Sequence, residues 1–226
     1  MNRVPKNLII AIDGPGAAGK TTAARLLAQR LGYCHIDSGA MYRALAWKAL
    51  KQEVDLSDPR SLLGLLAQTA LELRPAAEGL RVFADGEDIT DVLRLPKIQA
   101  AASLVSVHPQ VREELVQRQR QLGTHGGVVM DGRDIGTVVF PHATVKFYLT
   151  ASLEERGRRR YQESLQDLGT LESTLEEVER RDQRDMERAA SPLKPAPDAI
   201  LIDTASLSPE EVVTQMEGHI QRKVKS

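Results

Sequence analysis

The stretch GPGAAGKT at residues 14–21 constrains this chain more than any other, because it only makes sense between a strand and a helix. Before it stands the short apolar run NLIIAID (7–13), which reads as a buried strand ended by glycine. After it stands KTTAARLLAQRLG (20–32), with helical spacing through Ala24, Leu27, Ala28 and Leu31 and a stop at Gly32. Gly14 and Gly19 allow backbone angles that a side chain forbids and let the peptide approach an anion closely. The loop N–H groups and the helix N-terminus together form an anion site. Lys20 suits the β and γ phosphates of a nucleotide, and the Thr21 hydroxyl suits Mg²⁺. Asp13, at the strand end, either polarises this site or caps the loop.

The pattern continues with a short strand CHID (34–37) and a helix GAMYRALAWKAL (39–50), which makes the βαβ signature of a parallel sheet. The middle of the chain breaks it. LELRP (71–75) and LRVFADGEDIT (80–90) alternate apolar and polar residues around an Asp85-Gly86 turn, as a small antiparallel piece would. Helices are expected over 95–107 and 109–123, so roughly residues 57–122 form an insertion. Strands at 127–131, 144–149 and 198–203 and helices at 152–166, 174–189 and 208–223 then complete the core. Ser152 with Glu155, Thr174 with Glu177, and Ser208 are the expected helix caps. One domain is expected, with a core of about 1–56 and 123–226.

Composition excludes several classes. In 226 residues the formal charge is −1, which argues against a general nucleic-acid binder. Cys34 is the only cysteine, so no intrachain disulfide can form; it reads as a core residue, and Trp47 as packing. The histidines are scattered without ligand spacing. No run reaches the ~18 apolar residues of a membrane span, and the apolar start is broken by Asp13 and glycines with no signal-cleavage pattern. The expected location is the cytoplasm.

A phosphate loop binds nucleotide; other residues must say what happens next. Strand C-termini in such sheets are where ligands bind. HIDSGAMYR (35–43) puts Asp37, Ser38, Tyr42 and Arg43 there, with Arg43 suited to grip a phosphate; the alternative is that Asp37 and Ser38 merely cap a helix. MDGRDIG (130–136) adds Asp131, a carboxylate placed to organise water around Mg²⁺, with Arg133 and Asp134 beside it; the alternative is a surface turn, which also favours Asp and Gly. The stretch 152–189 is dense in arginine. Arg156 and Arg160 share a helix face, as do Arg181, Arg184, Asp185 and Arg188. They form either a cationic lid over a transferring phosphoryl group or a solvated, salt-bridged helix pair.

Taken together, IAIDGPGAAGKTTAARLLA, DSGAMYRALAW, GEDITDVLR, ASLVSVHPQVRE, VVMDGRDIGTVVFPHATVKFYLTAS, EERGRRR and RDQRDMERAASPL resemble the bacterial cytidylate kinases, a nucleoside monophosphate kinase family. The resemblance runs from residue 9 to about 193. It implies a three-layer α/β P-loop kinase fold with a parallel central sheet. It also implies a monophosphate-binding insertion with a small antiparallel sheet, and a helical lid at about 153–190. Gly14, Pro15, Gly16, Ala17, Ala18, Gly19, Lys20, Thr21 and Thr22 would bind ATP, with Mg²⁺ at Thr21 and Asp37 and Asp131 acting through water. Ser38, Arg43, Arg133 and Arg181 would hold the acceptor's monophosphate, and Tyr42 would also bind the acceptor. Ser103, Arg112 and Asp134 would read the cytosine edge, Asp185 would contact the ribose, and Arg188 would support the base-reading carboxylate. Lys20, Arg133, Arg156, Arg160 and Arg181 would carry catalysis. The implied substrates are CMP and dCMP, taken by a monomer with no nucleic-acid or membrane partner. Two rivals stand beside this reading: a kinase of another small acceptor, and a nucleotide-driven switch with no acceptor pocket.

Overall fold

The computed structural model describes residues 4–76, 79–163 and 169–225. Five strands, β1 (Ile9–Asp13), β2 (Cys34–Asp37), β6 (Val128–Asp131), β7 (Val145–Thr150) and β8 (Ile200–Asp203), form one sheet in the order β2-β6-β1-β7-β8. Every pairing in it is parallel. A parallel sheet gathers all its strand C-termini at one edge, and the register is in step there. Asp37 lies opposite Asp131, Ile12 opposite Asp131, and Asp13 opposite Tyr148. Carboxylates far apart in the chain are thereby delivered to one rim.

The inner strands β1, β6 and β7 are buried on both faces, as strands inside a parallel sheet require. Helices α1 (Lys20–Leu31) and α8 (Pro209–Lys225) cover one side; Leu27 and Ala24 meet Ile10, Ile12, Phe147, Val213 and Met216 in an apolar cluster. Ser208 caps α8 as expected, with Glu211 returning a bond to its backbone. Helix α2 (Ser38–Lys51) serves two cores. Leu45 and Ala49 pack with Leu62 and Leu66 of α3 (Pro59–Gln68) and Leu115 of α5 (Pro109–Leu122). Ala40 and Ala44 pack under Val82 and Ala84 of β4 (Gly79–Ala84). The second sheet, β3 (Leu71–Ala76), β4 and β5 (Glu87–Asp88), is antiparallel. Asp85 and Gly86 turn between β4 and β5 with φ of 52° and 82°, the left-handed pair of a tight hairpin. Helix α4 (Pro96–Val105) packs beside α2. Among the described residues no helix is long and apolar enough to cross a membrane.

Some local expectations change. Helix α3 was not anticipated from the sequence; Asp58 accepts from Arg60 N–H at its start and Pro59 fits the first turn. Helix α6 (Leu153–Glu163) begins as expected, with Ser152 accepting from Glu155 N–H at 3.2 Å, and residues 164–166 of the expected span lie outside the described residues. Helix α7 (Leu171–Glu187) begins three residues before the expected Thr174. Its capping box pairs Thr170 with Ser173, so the reciprocal bond comes from a serine where Glu or Gln is usual. Thr174 is instead buried and bonds back to the Thr170 carbonyl. Cys34 is half-buried at the core's edge rather than inside it, and Trp47 packs beneath the small sheet.

Candidate active site

The phosphate loop joins β1 to α1. Gly14 (φ 146°) lies so close to the backbone of Leu149 in β7 that a Cβ would collide with the Leu149 carbonyl. Gly19 (φ 81°) supplies the left-handed residue that starts α1. Lys20 is buried, and its ammonium donates to the Pro15 carbonyl at 2.5 Å. Burial first, and then the Arg133 cation, pull its pKa down to about 7. The loop thus holds a lysine that gains charge stabilisation when an anion arrives. On the far side of the loop, Gly19 and Thr22 line a hollow of about 410 Å³ with Arg159, Thr204 and Leu207. Arg159 is anchored there by the Thr204 hydroxyl at 3.0 Å and the Thr204 carbonyl at 2.7 Å.

Thr21 and the carboxylates of the strand rim form the candidate metal corner. Thr21 Oγ1 donates to Asp131 Oδ2 at 2.7 Å, and Asp131 Oδ1 meets His35 Nε2 at 2.7 Å. Burial disfavours charge on His35, but the hydrogen bond and charge of Asp131 outweigh it and hold the imidazole above its ordinary pKa. Asp37 accepts from Ala40 N–H at 3.2 Å and from Arg43 at 2.6 Å. Burial opposes its charge, yet Arg43 holds its carboxyl below the usual range. Asp37 is therefore both cap and ion-pair partner. Hydroxyl and carboxylate oxygens at one edge of a phosphate loop fit Mg²⁺, a hard ion that takes few protein ligands and relies on phosphates and water for the rest.

Next to this corner lies a cluster of cations. Arg43, Arg133, Arg160 and Arg181 line one cleft of about 210 Å³ together with Lys20, Thr21 and Asp131. Arg133 is oriented by Asp185, Nε to Oδ2 at 2.8 Å, and Arg160 by Gln99 at 2.6 Å. Arg181 has no hydrogen bond or ion pair with the other described residues. Burial and the neighbouring Arg133, Arg43 and Arg160 push its guanidinium down to about 10. A guanidinium placed among other guanidiniums suits a multiply charged anion. Ser38, from the same rim, is buried with its hydroxyl on the Asp131 carbonyl at 2.8 Å.

Asp134, Arg112, Ser103, Tyr42 and Arg188 line another part of the same cleft. Asp134 accepts from Arg112 at 2.5 Å and lies 3.9 Å from Arg188. Arg188 also reaches Asp185 at 3.4 Å and the Ser191 carbonyl at 2.6 Å. The guanidinium of Arg112 stands 5.3 Å from the Tyr42 ring centre. Burial pushes the Tyr42 phenol up to about 12, so it stays protonated. Ser103 Oγ accepts from Arg184 at 3.0 Å, which leaves its own proton for a ligand. A carboxylate, a hydroxyl and a guanidinium thus converge with acceptor and donor capacity side by side.

The structure brings the expected acceptor-pocket residues and Lys20 and Thr21 of the phosphate loop to one cleft, but it moves two of the residues read from the sequence. Arg156 is not poised over the cleft. It is buried, bonded to the carbonyls of Ala151 (3.0 Å) and Gly16 (3.2 Å) and paired with Asp182. The i, i+4 spacing with Arg160 is real, but only Arg160 reaches the cleft. Asp13 does not cap the phosphate loop, although its charge is felt at Lys20. Its two oxygens accept from Ile135 N–H and Gly136 N–H, each at 2.7 Å, and so cap a wide helical turn (Ile135–Val139) that follows Asp134. Sequence reasoning missed His35, Gln99, Arg159 and Asp182. Only His35 left a signal: two residues before Asp37 on a strand, it shares Asp37's face.

Comparison with known proteins agrees with this geometry. The family model described as "Cytidylate kinase" matches residues 10–222. The cytidylate kinase of Geobacillus thermodenitrificans (strain NG80-2) is 51% identical over 221 residues, covering 97% of this chain and 99% of that protein. The cytidylate kinase of Bacillus subtilis (strain 168) is 49% identical over 221 residues, covering 96% and 98%. A solved structure of an uncharacterized protein from Eubacterium ventriosum ATCC 27560 covers 96% of this chain and 99% of its own at a TM-score of 0.53 and 13% identity, a likeness of fold alone. The α/β architecture built around a phosphate loop, and the match along nearly the whole length, lead to one conclusion: the chain belongs to the cytidylate kinase family.

Proposed function

We infer that this chain transfers the γ-phosphoryl group of ATP to CMP and dCMP, giving ADP and CDP or dCDP. The observation that carries the reading is the cluster of Arg43, Arg133, Arg160 and Arg181 between the phosphate loop and the Asp134 pocket. A switch protein would have no use for four guanidiniums lining one cleft beside a phosphate loop, whereas an acceptor monophosphate facing a donor triphosphate requires them. The donor's phosphates lie along Gly14–Thr22. Mg²⁺ fits beside Thr21, with Asp131 and Asp37 holding its water, and it supplies charge neutralisation across the transferring phosphates.

The acceptor is already an anion, so no strong base is needed. Ser38, Arg43, Arg133 and Arg181 hold its phosphate in line with the donor, and Lys20 and Arg160 help to spread the charge that develops during transfer. Asp134 accepts from the exocyclic amine of cytosine, while Arg112 and Ser103 donate to the ring. Uracil offers an oxygen where cytosine has the amine, and facing it with a buried carboxylate costs on the order of 1–3 kcal/mol. Asp185, held between Arg133 and Arg188, takes the sugar. Tyr42 backs Arg112.

The working unit is one domain, with a core of about 1–56 and 123–226, a monophosphate-binding insertion of about 57–122 and an arginine-bearing lid of about 153–190, of which 164–168 lie outside the described residues. Both substrate sites are lined by residues of one chain, which supports a monomer acting on small molecules in the cytoplasm, without nucleic acid. The test is ADP formation from ATP and Mg²⁺ with CMP, dCMP, UMP, AMP or GMP. Strong turnover with CMP and dCMP, weak with UMP and none otherwise is expected; turnover with none of them would overturn the acceptor assignment.

A further inference from the structure

The peptide of Gly16 is held on both sides by side chains from the arginine-rich helices. Its N–H donates to Asp182 Oδ1 at 3.2 Å, and its carbonyl accepts from Arg156 Nη1 at 3.2 Å. Arg156 and Asp182 are themselves ion-paired, and both are buried. The remaining reach of Arg156 goes to the Ala151 carbonyl at 3.0 Å. Desolvating two charges is worthwhile only where geometry is good and spare hydrogen-bonding capacity is used, and here the spare capacity goes to one peptide of the phosphate loop.

The helix that supplies Asp182 also supplies the acceptor side. Arg181 belongs to the cation cluster, and Asp185, one turn on, orients Arg133 at 2.8 Å. Gly16 stands between the two systems: a Cβ there would lie 3.7 Å from Arg133 Nη2 and 3.8 Å from Asp182 Oδ1. We propose that Asp182, held by Arg156, is a positioning residue that pins the first half of the phosphate loop to the helix bearing the acceptor-site residues, so that one rigid element sets both substrate sites. This rests on the donor reading above. With the Gly16 N–H already engaged, the loop amides that follow it are left for phosphate. The loop then need not be ordered by the nucleotide, and its ordering cost is met in the free protein. A shift of α7 when the acceptor binds is also carried straight to the donor loop.

The test uses the full chain with Asp182→Asn, Asp182→Ala and the double variant Arg156→Ala/Asp182→Ala, which leaves no lone buried charge. Amide exchange of Gly16, followed by NMR without nucleotide, reads the clamp itself. It is expected to quicken by about tenfold or more in Asp182→Ala and in the double variant, as loss of a charge-assisted hydrogen bond implies, while the β1 amides of Ile10 and Ile12 hold steady. Calorimetry with ADP, with and without CMP, reads the consequence. ADP affinity should fall about tenfold in Asp182→Ala and less in Asp182→Asn, the double variant should be no worse than the single, and any tightening of ADP by CMP should vanish. Gly16 exchange unchanged within about twofold would overturn the clamp. Quickened exchange with unaltered ADP binding would overturn its positioning role, and so would an equal quickening in β1, which would mark global opening. If the unaltered chain bound no ADP, the donor reading would fall, and Gly16 exchange alone would decide the clamp.

Discussion

Replacing Asp134 by Asn removes the negative charge from a carboxylate flanked by two guanidiniums, at 2.5 Å from Arg112 and 3.9 Å from Arg188. The side chains of Arg112 and Asp134 are only 3% and 7% exposed, so water cannot compensate for what is lost. For CMP, a charge-assisted bond from the cytosine amine becomes a neutral one. The difference between those classes is about 1–1.5 kcal/mol, or roughly tenfold in kcat/KM. For UMP the sign reverses. The Asn amide can donate to the uracil oxygen that the carboxylate repelled, which recovers about 1–3 kcal/mol, or roughly ten- to a hundredfold. The CMP-over-UMP preference should therefore fall by about two to three orders of magnitude, at least half of it through the gain on UMP. Steady-state kinetics with both acceptors at saturating ATP and Mg²⁺ measures this. The protein will also be less stable, because two buried cations lose their shared anion; a thermal melt separates that from the kinetics. A ratio that stays within threefold or so of the unaltered protein's would refute the assignment of Asp134 as the reader of the amine.

Arg181→Ala should separate activity from stability. It removes a guanidinium repelled by Arg133, Arg43 and Arg160, so the ligand-free protein should melt no lower, while kcat/KM for CMP falls about a hundredfold from lost phosphate attraction. A variant that lost stability and activity together would show Arg181 to be structural. Lys20→Ala should leave circular dichroism unchanged and lower kcat by far more than the ~tenfold that would still fit a merely helpful residue. Asp13 gives the pH prediction. Burial raises its pKa from 3.8 to about 6, so its proton is held more tightly in the folded than in the unfolded chain. Stability from this source is fully present below pH 3.8 and lost as pH rises to about 6. The melting-temperature advantage of the unaltered protein over Asp13→Asn should shrink across that window; a difference flat in pH would remove Asp13 from the titration.

Much of this protein could be read from local pattern, because the local pattern is itself physical. A glycine-rich loop between a buried strand and a helix has few other uses, and alternation around Asp85-Gly86 predicts a hairpin wherever it occurs. Helix α7 shows where pattern runs out: its cap uses Ser173 where a longer acidic residue was sought, and the start moved by three residues. Helix α3, with Leu62, Leu65 and Leu66 buried and Arg60, Ser61 and Gln68 exposed, lies in a stretch that pattern assigns only to the insertion.

The candidate site divides the same way. Residue type and strand-end position sufficed to nominate Asp37, Asp131, Arg133 and Asp134, since a parallel sheet must deliver its strand C-termini to one rim. Charge spacing sufficed to put Arg156 and Arg160 on one helix face. Only tertiary structure decided that Arg160 faces the cleft while Arg156 is bound to Gly16 and Asp182. Asp13 likewise turned from a phosphate-site candidate into the cap of a turn 122 residues away. Helical periodicity says which residues share a side and strand order says which ends share an edge. The partner a buried charge finds across the fold depends on how α6 and α7 lie against the loop, and that is set by packing among segments far apart in the chain.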